Sequence, residues 1–359
     1  MVLGLAPSAS KPEFPALRTY KDIFIWLRTM KLELTLRALA DPTRLRIMRL
    51  LANMELAVGE LAHVLGQSQP RVSRHIKILC DAGLAERRRE GSWVFLRIAI
   101  TDGAAPSLGG TVARLLAIGE AEDAGFAARC AEDRRHLAAT RAAREAQAAA
   151  YFARHAAEWD TLRSLHSPDG PVEAALARAL DRENLGALLD VGTGTGRMAE
   201  LFAPRATSLI AFDKSPEMLR LARARLQHLP AGKVDLQQGD FAALPFAGGA
   251  FDAVLFHQVL HYAQEPATVL AEAARVTRPG GRIAVVDFAA HGHEELRSLH
   301  AHARLGFADE QMLALLIAAG YAPDAPLAVP GIGPGQPLTV KIWTGTRVDA
   351  ARPTPEDTR

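Results

Sequence analysis

The sequence predicts two domains: an N-terminal, mainly α-helical domain that ends in a β-hairpin, and a C-terminal α/β domain built on a parallel sheet. Three observations support this prediction. The chain has 359 residues, whereas single domains usually have about 100 to 200. Apolar residues recur at helical spacing from about residue 30 to 80, and two short strands follow. From about residue 185, strands and helices alternate, which is typical of a doubly wound sheet.

Composition limits the classes of protein to which the chain can belong. Apolar residues make up 49% and charged residues 23%, as in ordinary soluble globular proteins. No run of 18 apolar residues is present, so we expect no membrane span. The two distant cysteines, Cys80 and Cys130, exclude a disulfide framework and a thiolate metal site, and they fit a cytoplasmic protein. Because the net charge is only +2, binding to nucleic acid would require a local basic patch.

The first domain is predicted over residues 30–102. Asp41-Pro42 begins one helix, because proline is tolerated in the first turn. A short helix over 58–65 is followed by Ser68, which is expected to cap a second helix ending near residue 81. Two strands come next, at 84–89 and 92–98, joined by a turn at Glu90-Gly91.

Three further segments are assigned from their composition. Residues 1–29 are expected to be a flexible N-terminal arm or a non-native extension, in which case Met30 would be the true start. Residues 103–166, rich in Ala and Arg, predict a helical linker with one long helix over 131–165 that connects the domains or forms a dimer contact. The tail over 348–359 is rich in Pro and charge and is expected to be disordered.

The second domain is predicted over residues 167–347. Strands are expected at 187–191, 208–213, 233–237, 252–256 and 282–288, followed by an antiparallel pair at 327–329 and 338–344. Ligands of open parallel sheets bind outside the carboxyl ends of the strands. The residues that follow each strand are therefore the candidates for a binding site.

A glycine loop follows the first of these strands. Gly192, Gly194 and Gly196 would allow a tight turn and a close approach of the backbone to a ligand. Arg197 stands where a dinucleotide-binding fingerprint has its third required glycine. Asp190, two positions before the loop, would repel a pyrophosphate but would suit a ligand that carries an ammonium group and a sulfonium.

Two more acids lie at the ends of the next strands. Asp213 comes 23 residues after Asp190, at about the distance from which an acid accepts hydrogen bonds from ribose hydroxyls. Asp240 is placed to accept a hydrogen bond from an adenine amino group, and Phe241 is placed to cover the adenine ring.

These motifs together resemble the class I S-adenosylmethionine (SAM)-dependent methyltransferases, whose domain is Rossmann-like. The resemblance covers residues 188–288 and rests on DVGTGTG, AFDKSPEML, QGDFAALPF, FDAVLFHQVLHY and RPGGRIAVVDF. It implies SAM as cofactor, with the methionine part held by Asp190 and the loop glycines, the ribose by Asp213, and the adenine by Asp240 and Phe241. His257, at the end of the fourth strand, is also a candidate cofactor contact. A Rossmann-like domain for another nucleotide is the alternative.

The aromatic residues before this domain have two readings. Tyr151-Phe152 and Trp159-Asp160 resemble the lead-in helix of such enzymes, whose aromatics can cover the cofactor. Packing within a helical core is the alternative.

The candidate catalytic residues are His257, Gln258 and His261, near the end of the fourth strand, with Tyr262 beside them. Methyl transfer is a direct displacement, so alignment can supply most of the acceleration. A general base is needed only when the acceptor is a hydroxyl or a protonated amine. His261 and Tyr262, expected on a helix, could instead be packed side chains.

A second histidine group follows the fifth strand, formed by His291, His293, His300 and His302. A substrate pocket, a metal site and a solvated surface are the three possible roles. The spacing of His300 and His302 would place them on different sides of a helix, which disfavours a metal site, and no metal site is assigned.

The second helix of the first domain is strongly basic. Residues 30–100 contain 12 Lys and Arg against 7 Asp and Glu, so this domain carries more than the net charge of the whole chain. A basic helix after a helix and a turn, with a basic hairpin behind it, is typical of a winged helix-turn-helix that reads DNA. A solvated basic face is the alternative. The candidate DNA-binding residues are Ser68, Gln69, Arg71, Ser73, Arg74, His75, Lys77, Arg87, Arg88 and Arg89.

This domain resembles the ArsR-type winged-helix repressors over about 70 residues. The runs are LRALADPTRLRIMRLL and ELAVGELAHVLGQSQPRVSRHIKILCDAGLAERRREGSWVFLRI. The resemblance implies a homodimer that binds double-stranded operator DNA. Ala57 and Gly59 stand where the family's metal sensors carry cysteines, and the family's other metal site is not evident, so metal sensing is not expected. Cys80 is expected to be packed at the end of the recognition helix, with a redox role as the alternative.

The whole chain therefore looks like an ArsR-type regulator fused to a methyltransferase, and three hypotheses follow. In the first, the C-terminal domain methylates an unidentified small molecule. In the second, that domain is catalytically silent, and binding of SAM or S-adenosylhomocysteine changes the affinity for DNA. In the third, the winged helix is only a dimerisation platform for an enzyme.

Overall fold

The computed structural model describes residues 31–52, 54–90, 93–99, 107–164, 169–180, 184–331 and 338–348. The chain forms two compact units. Of the described residues, the first unit contains those up to Arg87 together with those of Leu96–Arg134, and the second contains Arg88–Phe95 together with those from Arg135 onward. The predicted arm with Met30, the middle of the turn at Glu90-Gly91 and the tail from 349 lie outside the described residues.

The first unit is built from short helices and a small sheet. Asp41 caps the second helix, because its Oδ1 accepts a hydrogen bond from the backbone N–H of Arg44 at 3.1 Å. Ser68 occupies the N-cap position of the recognition helix, but its side chain makes no capping bond, so that detail of the prediction is wrong. The elements are α1 (Lys31–Leu39), α2 (Pro42–Leu51), β1 (Leu56–Ala57), α3 (Val58–Val64), α4 (Gln69–Asp81), β2 (Ala85–Glu90), β3 (Trp93–Ile98) and α5 (Leu108–Glu122), with the strands in the order β1-β3-β2.

A long helix, α6 (Ala124–His155), crosses from the first unit into the second. It begins earlier than the predicted start at 131, because the carboxylate of Asp123 accepts hydrogen bonds from the backbone N–H groups of Gly125 and Phe126. It also ends before 165, where a 3₁₀ turn (Ala156–Glu158) separates it from α7 (Trp159–Ser164).

Ion pairs tie α6 to the rest of the first unit. The guanidinium of Arg46 on α2 forms a two-pronged pair with Asp133 of α6, whose side chain is only 1% exposed. Glu120 of α5 accepts from both Arg49 and Arg134. These ion pairs therefore fix the start of the long helix on α2 and α5.

The second unit is a three-layer α/β/α domain around a mixed sheet of eight strands. The sheet order is β10-β11-β8-β7-β4-β5-β6, with β9 paired to β11. The strands are β4 (Gly186–Val191), β5 (Ala206–Asp213), β6 (Val234–Gln238), β7 (Phe251–His257), β8 (Thr277–Phe288), β9 (Tyr321–Pro323), β10 (Leu327–Val329) and β11 (Val340–Arg347). The helices are α8 (Asp169–Ala179), α9 (Arg197–Phe202), α10 (Pro216–Leu226), α11 (Pro266–Val276), α12 (Glu295–Leu299) and α13 (Asp309–Ala319).

Neighbouring residues of the central strands belong to opposite cores. Leu188 lies in one apolar cluster and Leu189 in the other, as the alternation of side chains along a strand requires. Helices α8, α9 and α10 cover the first face of the sheet, and α11 and α13 cover the second. Burial on both faces explains why these strands are continuous apolar runs, and the five predicted strands are observed.

Strands β4, β7 and β8 are adjacent and parallel, so their carboxyl ends meet at one edge of the sheet. The pairing sets Val191 opposite Phe256, and His257 opposite Val286. The predicted antiparallel pair also forms, since β10 pairs with β11. Among the described residues, no helix is both long and apolar enough to cross a membrane.

Candidate functional site

The glycine loop joins β4 to α9. Gly192, Gly194 and Gly196 have φ values of 70°, 55° and 84°, in the left-handed region that favours glycine. A Cβ on Gly192 would collide with the side chain of Val259, which follows β7. The loop is therefore held in a conformation that other residues adopt only with strain, directly against the segment that carries the candidate catalytic residues.

Asp190 lies beneath this loop and is 1% exposed. Its Oδ2 accepts a hydrogen bond from the hydroxyl of Thr193 at 2.6 Å, whereas within the described chain no hydrogen bond reaches its Oδ1. Burial raises the pKa of Asp190 to about 7, and the nearby Asp213 adds to this effect, although Thr193 and the backbone of Ala199 oppose it. A buried carboxylate with one unpaired oxygen fits a ligand that brings a positive charge.

Asp213 ends β5 and holds the glycine loop in place. Its carboxylate accepts hydrogen bonds from the backbone N–H groups of Gly194 and Ser215, both at 2.8 Å. Burial raises the pKa of Asp213 despite these two bonds. Each oxygen of a carboxylate can accept a further hydrogen bond, so the predicted contact with ribose hydroxyls remains chemically open.

The predicted adenine contacts, Asp240 and Phe241, follow β6. The carboxylate of Asp240 accepts from Lys214 Nζ and from the backbone N–H of Ala242, both at 2.8 Å. Burial raises the pKa of Asp240, but Lys214 and Ala242 outweigh it, and the pKa lies below its ordinary value. Phe241 is half-buried against the second core. Since Lys214 already occupies Asp240, an adenine would have to share that carboxylate or displace the lysine.

The candidate catalytic residues follow β7. His257 is the buried last residue of that strand, and Gln258 has a φ of 54°, an uncommon backbone conformation for a residue other than glycine. The backbone N–H of Gln258 donates to Val286 O at 2.7 Å, while its buried side-chain Nε2 has no hydrogen-bond partner among the described residues. Such strain next to an unsatisfied amide is typical of a ligand site.

His261 lies in a 3₁₀ turn (Leu260–Tyr262) after β7, and it pairs with Asp287. The distance from its Nδ1 to Asp287 Oδ1 is 2.7 Å, and both side chains are buried. Sequence reasoning missed Asp287. It lies in the quoted run RPGGRIAVVDF near the carboxyl end of β8, and an acid at such a position of a buried strand is the signal that could have found it.

The second histidine group adjoins this pair. The ring centroids of His261 and His302 are 4.1 Å apart, and His291 and His302 both contact Phe288. The prediction that His300 and His302 lie on one helix is wrong, because α12 ends at Leu299 and Ala301 adopts a left-handed φ of 57°. His293 pairs with Glu295 at 3.0 Å. Among the described residues, no three His, Cys, Asp or Glu side chains come together as a metal-ligand set.

The lead-in aromatic residues lie next to both the 3₁₀ turn after β7 and the glycine loop. The ring of Phe152 lies 4.9 Å from Tyr262 and 5.3 Å from Trp159, and a Cβ on Gly194 would lie 3.6 Å from the indole nitrogen of Trp159. The hydroxyl of Tyr151 bonds to His300 Nδ1 at 2.6 Å. These aromatic residues are therefore packed side chains that also adjoin the glycine loop, and their covering of the cofactor stays a prediction.

Asp160, next to Trp159, locks α7 to the same loop. It accepts a hydrogen bond from the hydroxyl of Thr195 at 2.7 Å and pairs with Arg225 of α10, which also donates to Thr195. Thr195 and Arg225 were not predicted as site residues. Their role depends on a contact between segments far apart in the chain, which local spacing cannot reveal.

The recognition helix α4 turns an apolar face inward. Val72, Ile76 and Leu79 are buried on it. Of the ten candidate DNA-binding residues, seven are exposed and three are half-buried; the exposed ones are Ser68, Gln69, Arg71, Arg74, Lys77, Arg87 and Arg89, and the half-buried ones are Ser73, His75 and Arg88.

Two of these candidates have partners within the first unit. Lys77 pairs with Asp81 at 2.7 Å, and His75 lies 3.7 Å from Asp41. Burial lowers the pKa of His75, although Asp41 opposes it, so His75 is the least available of the ten for a phosphate. Cys80 is half-buried at the end of α4, and burial raises the pKa of its thiol, as for a packed cysteine.

Comparison with known proteins matches each domain separately. Residues 189–285 match the family model described as "Methyltransferase domain". Residues 41–87 match the one described as "Bacterial regulatory protein, arsR family".

Several of the similar proteins are methyltransferases by name. A demethylmenaquinone methyltransferase of Renibacterium salmoninarum is 40% identical over 101 residues, which are 28% of this chain and 40% of that protein. One from Parafrankia sp. is 36% identical over 159 residues, 40% of this chain and 63% of that protein. The solved 1,6-didemethyltoxoflavin-N1-methyltransferase of Burkholderia thailandensis is 23% identical with a TM-score of 0.44, covering 57% of this chain and 90% of that chain.

This chain spans less than two thirds of the length of the curated relatives described above. The two family matches do not overlap, and each lies within the domain whose motifs were read from the sequence. The chain is thus a fusion of an ArsR-type helix-turn-helix domain with a methyltransferase domain.

Proposed function

We propose that the chain is an ArsR-type transcriptional regulator whose second domain uses SAM to methylate a small molecule. One observation carries the enzymatic part. Four buried polar atoms have no hydrogen-bond partner in the described chain, and they belong to residues in β4 or within four residues after the end of β7 or β8: Asp190 Oδ1, Gln258 Nε2, His261 Nε2 and His291 Nε2. Because buried polar atoms are nearly always satisfied, such a group at adjacent strand ends indicates a polar ligand.

In this proposal, the residues of the site bind separate parts of the cofactor. SAM supplies an electrophilic methyl group, transferred by direct displacement so that sulfur keeps the electron pair of the broken bond. Asp190 would balance a positive charge of the cofactor, and the left-handed glycines would let the backbone approach it closely. Asp213 would hold the ribose, and Asp240 with Phe241 would hold the adenine once Lys214 shares the carboxylate.

The acceptor is proposed only as a small molecule. The named relatives act on demethylmenaquinone by their names, and the partial overlap with them does not carry that acceptor over to this chain.

For the first domain we propose binding to double-stranded operator DNA as a homodimer. The exposed arginines of α4 would reach phosphates or base edges, and paired recognition helices would read two half-sites. A regulator that only senses SAM or S-adenosylhomocysteine is the competing function, and the unpartnered Nε2 of His261 favours catalysis over it.

The experiment combines DNA capture with cofactor titration. The full chain is mixed with fragmented genomic DNA, the bound fragments are sequenced, and affinity for a recovered fragment is measured with and without SAM or S-adenosylhomocysteine. We expect the recovered fragments to share a palindromic site. The Arg74→Ala variant should bind this site at least fivefold more weakly than wild type, a loss of about 1 kcal/mol or more in binding free energy. Arg220→Ala, an exposed arginine of α10, is the matched control and should bind normally.

Turnover is measured in parallel by transfer of label from methyl-labelled SAM to small molecules of a cell extract. Absence of a preferred fragment would contradict the regulatory part. Cofactor-dependent DNA affinity without any labelled product would favour the sensor.

A further inference from the structure

The His261–Asp287 pair has a defined proton arrangement. Asp287 Oδ1 accepts from His261 Nδ1 at 2.7 Å, and its Oδ2 accepts from the backbone N–H of His261 at 3.0 Å. Oδ1 also accepts from the backbone N–H of Phe288. Because Asp287 already accepts two backbone N–H bonds, we place the ring N–H of His261 on Nδ1, facing Asp287, and its lone pair on Nε2.

The second nitrogen of this histidine is unused by the protein. His261 is 2% exposed, and its Nε2 has no hydrogen-bond partner in the part of the chain that the structure describes. A histidine with a purely structural role would have both ring nitrogens satisfied when buried. The unpartnered lone pair instead indicates that a ligand group supplies the missing proton.

Aromatic rings pack around the imidazole of His261. The centroids of Tyr262 and His302 lie 4.1 Å from that of His261, and the centroid of Phe288 lies 5.3 Å from it. Flat walls of this kind favour a flat aromatic ligand. A protonated amine would enter next to the sulfonium of the cofactor, whose charge repels it, whereas a hydroxyl that loses its proton becomes an anion which that charge stabilises.

We propose that His261, oriented by Asp287, is the general base for a phenol-type methyl acceptor, so that the domain is an O-methyltransferase. This inference rests on the proposed SAM site. In the step, the acceptor O–H bond breaks, its electron pair stays on oxygen, and the proton bonds to Nε2. The resulting imidazolium is stabilised by the carboxylate of Asp287, and the proton passes later to water. Asp287 is the positioning residue.

Several other titratable groups lie around His261. They are Tyr262, His302 and His291, together with Asp287 itself. Burial and the neighbouring His293 and His261 lower the pKa of His291 to about 4, so it stays neutral near pH 7. Burial raises the pKa of Tyr262. Asp287 is thus left as the partner for a charged imidazolium.

The test uses 4-nitrophenol, whose phenolate and phenol forms absorb at different wavelengths. The full chain is titrated with 4-nitrophenol in mildly acidic buffer, where the free compound is mostly protonated, with S-adenosylhomocysteine in the cofactor site. This ligand lacks the sulfonium charge of SAM, so any phenolate formed reports on the base alone. We expect the wild-type chain to convert bound 4-nitrophenol to the phenolate. His261→Asn should reduce the phenolate absorbance at least tenfold, and Asp287→Asn should reduce it as well.

The control is His228→Asn, because His228 is an exposed histidine beyond α10 that pairs with Glu200. It should give the wild-type spectrum. All variants should bind SAM within twofold of wild type by calorimetry, which a collapsed fold would not allow.

Two outcomes separate the inference from the proposed function. If the wild-type chain binds SAM but produces no phenolate, or if His261→Asn produces as much as wild type, the base assignment is overturned while the cofactor site stands. If the wild-type chain does not bind SAM, the proposed function fails, and this inference fails with it.

Discussion

The pKa of Asp190 makes cofactor binding dependent on pH. In the free protein this carboxyl has a pKa of about 7, whereas a bound cation would keep it ionised. Its ionised fraction rises about tenfold from pH 6 to pH 8, so SAM affinity should rise by about tenfold over this range, or about 1.4 kcal/mol. At pH 7, binding should release roughly half a proton per chain from this group.

Asp190→Asn separates this effect from the titration of the ligand. Calorimetry in two buffers of different ionisation enthalpy gives the proton release at pH 6, 7 and 8. The amino group of SAM titrates equally against both proteins, so the difference between wild type and the variant belongs to Asp190. Equal affinity and equal proton release for the two proteins at all three pH values would refute this reasoning.

The same carboxyl group also makes the stability of the free protein depend on pH, but stability falls as pH rises, whereas SAM affinity increases. Its pKa is raised above the model-peptide value of 3.8, so the free folded state binds a proton that the unfolded chain has lost. Without ligand, this group should lower the free energy of unfolding by about 4 kcal/mol as pH rises from about 4 to about 7. Asp190→Asn should therefore unfold at a higher temperature than wild type at pH 8, although it binds SAM more weakly.

Three further predictions concern other parts of the chain. Asp133→Ala leaves a partly buried guanidinium unpaired, so it should lower the free energy of unfolding by about 3 kcal/mol in urea titrations. Asp81→Ala breaks an exposed pair, so it should change the free energy of unfolding by less than about 1 kcal/mol. Gly192→Ala should abolish detectable SAM binding, because the added Cβ collides with a neighbouring side chain and the backbone is strained as well. Gly232→Ala is the comparison: Gly232 has a similar φ but open space, so this substitution adds backbone strain without a collision. In salt titrations, Arg74→Ala should lower the slope of log affinity against log salt by about one per site, and an unchanged slope would place Arg74 off the phosphates.

The fold could be predicted because its signals are local. Apolar runs bounded by glycines fixed the strands at the site to within one or two residues, except that β8 begins at Thr277 rather than at 282. There the pairing of Thr277 with Phe251 extends the ladder across an irregularity. The start of α6 was missed because its capping residue, Asp123, lies before the Ala- and Arg-rich stretch from whose composition the helix was predicted.

The missed site residues depend on contacts between distant segments. Asp287 is 26 positions from His261, and Asp133 is 87 positions from Arg46. An acid at a strand end or on a helix looks the same in sequence whether it is solvated or paired. Similarly, Lys214 next to the acid at the end of β5 gave no sign that it would bind Asp240.

The most direct test of the account is equilibrium dialysis of labelled SAM against the full chain at pH 8. We expect saturable binding of one SAM per chain, displaced by S-adenosylhomocysteine and weakened at least tenfold in Asp190→Asn. Absence of saturable binding, or binding that the Asp190 variant leaves unchanged, would contradict it.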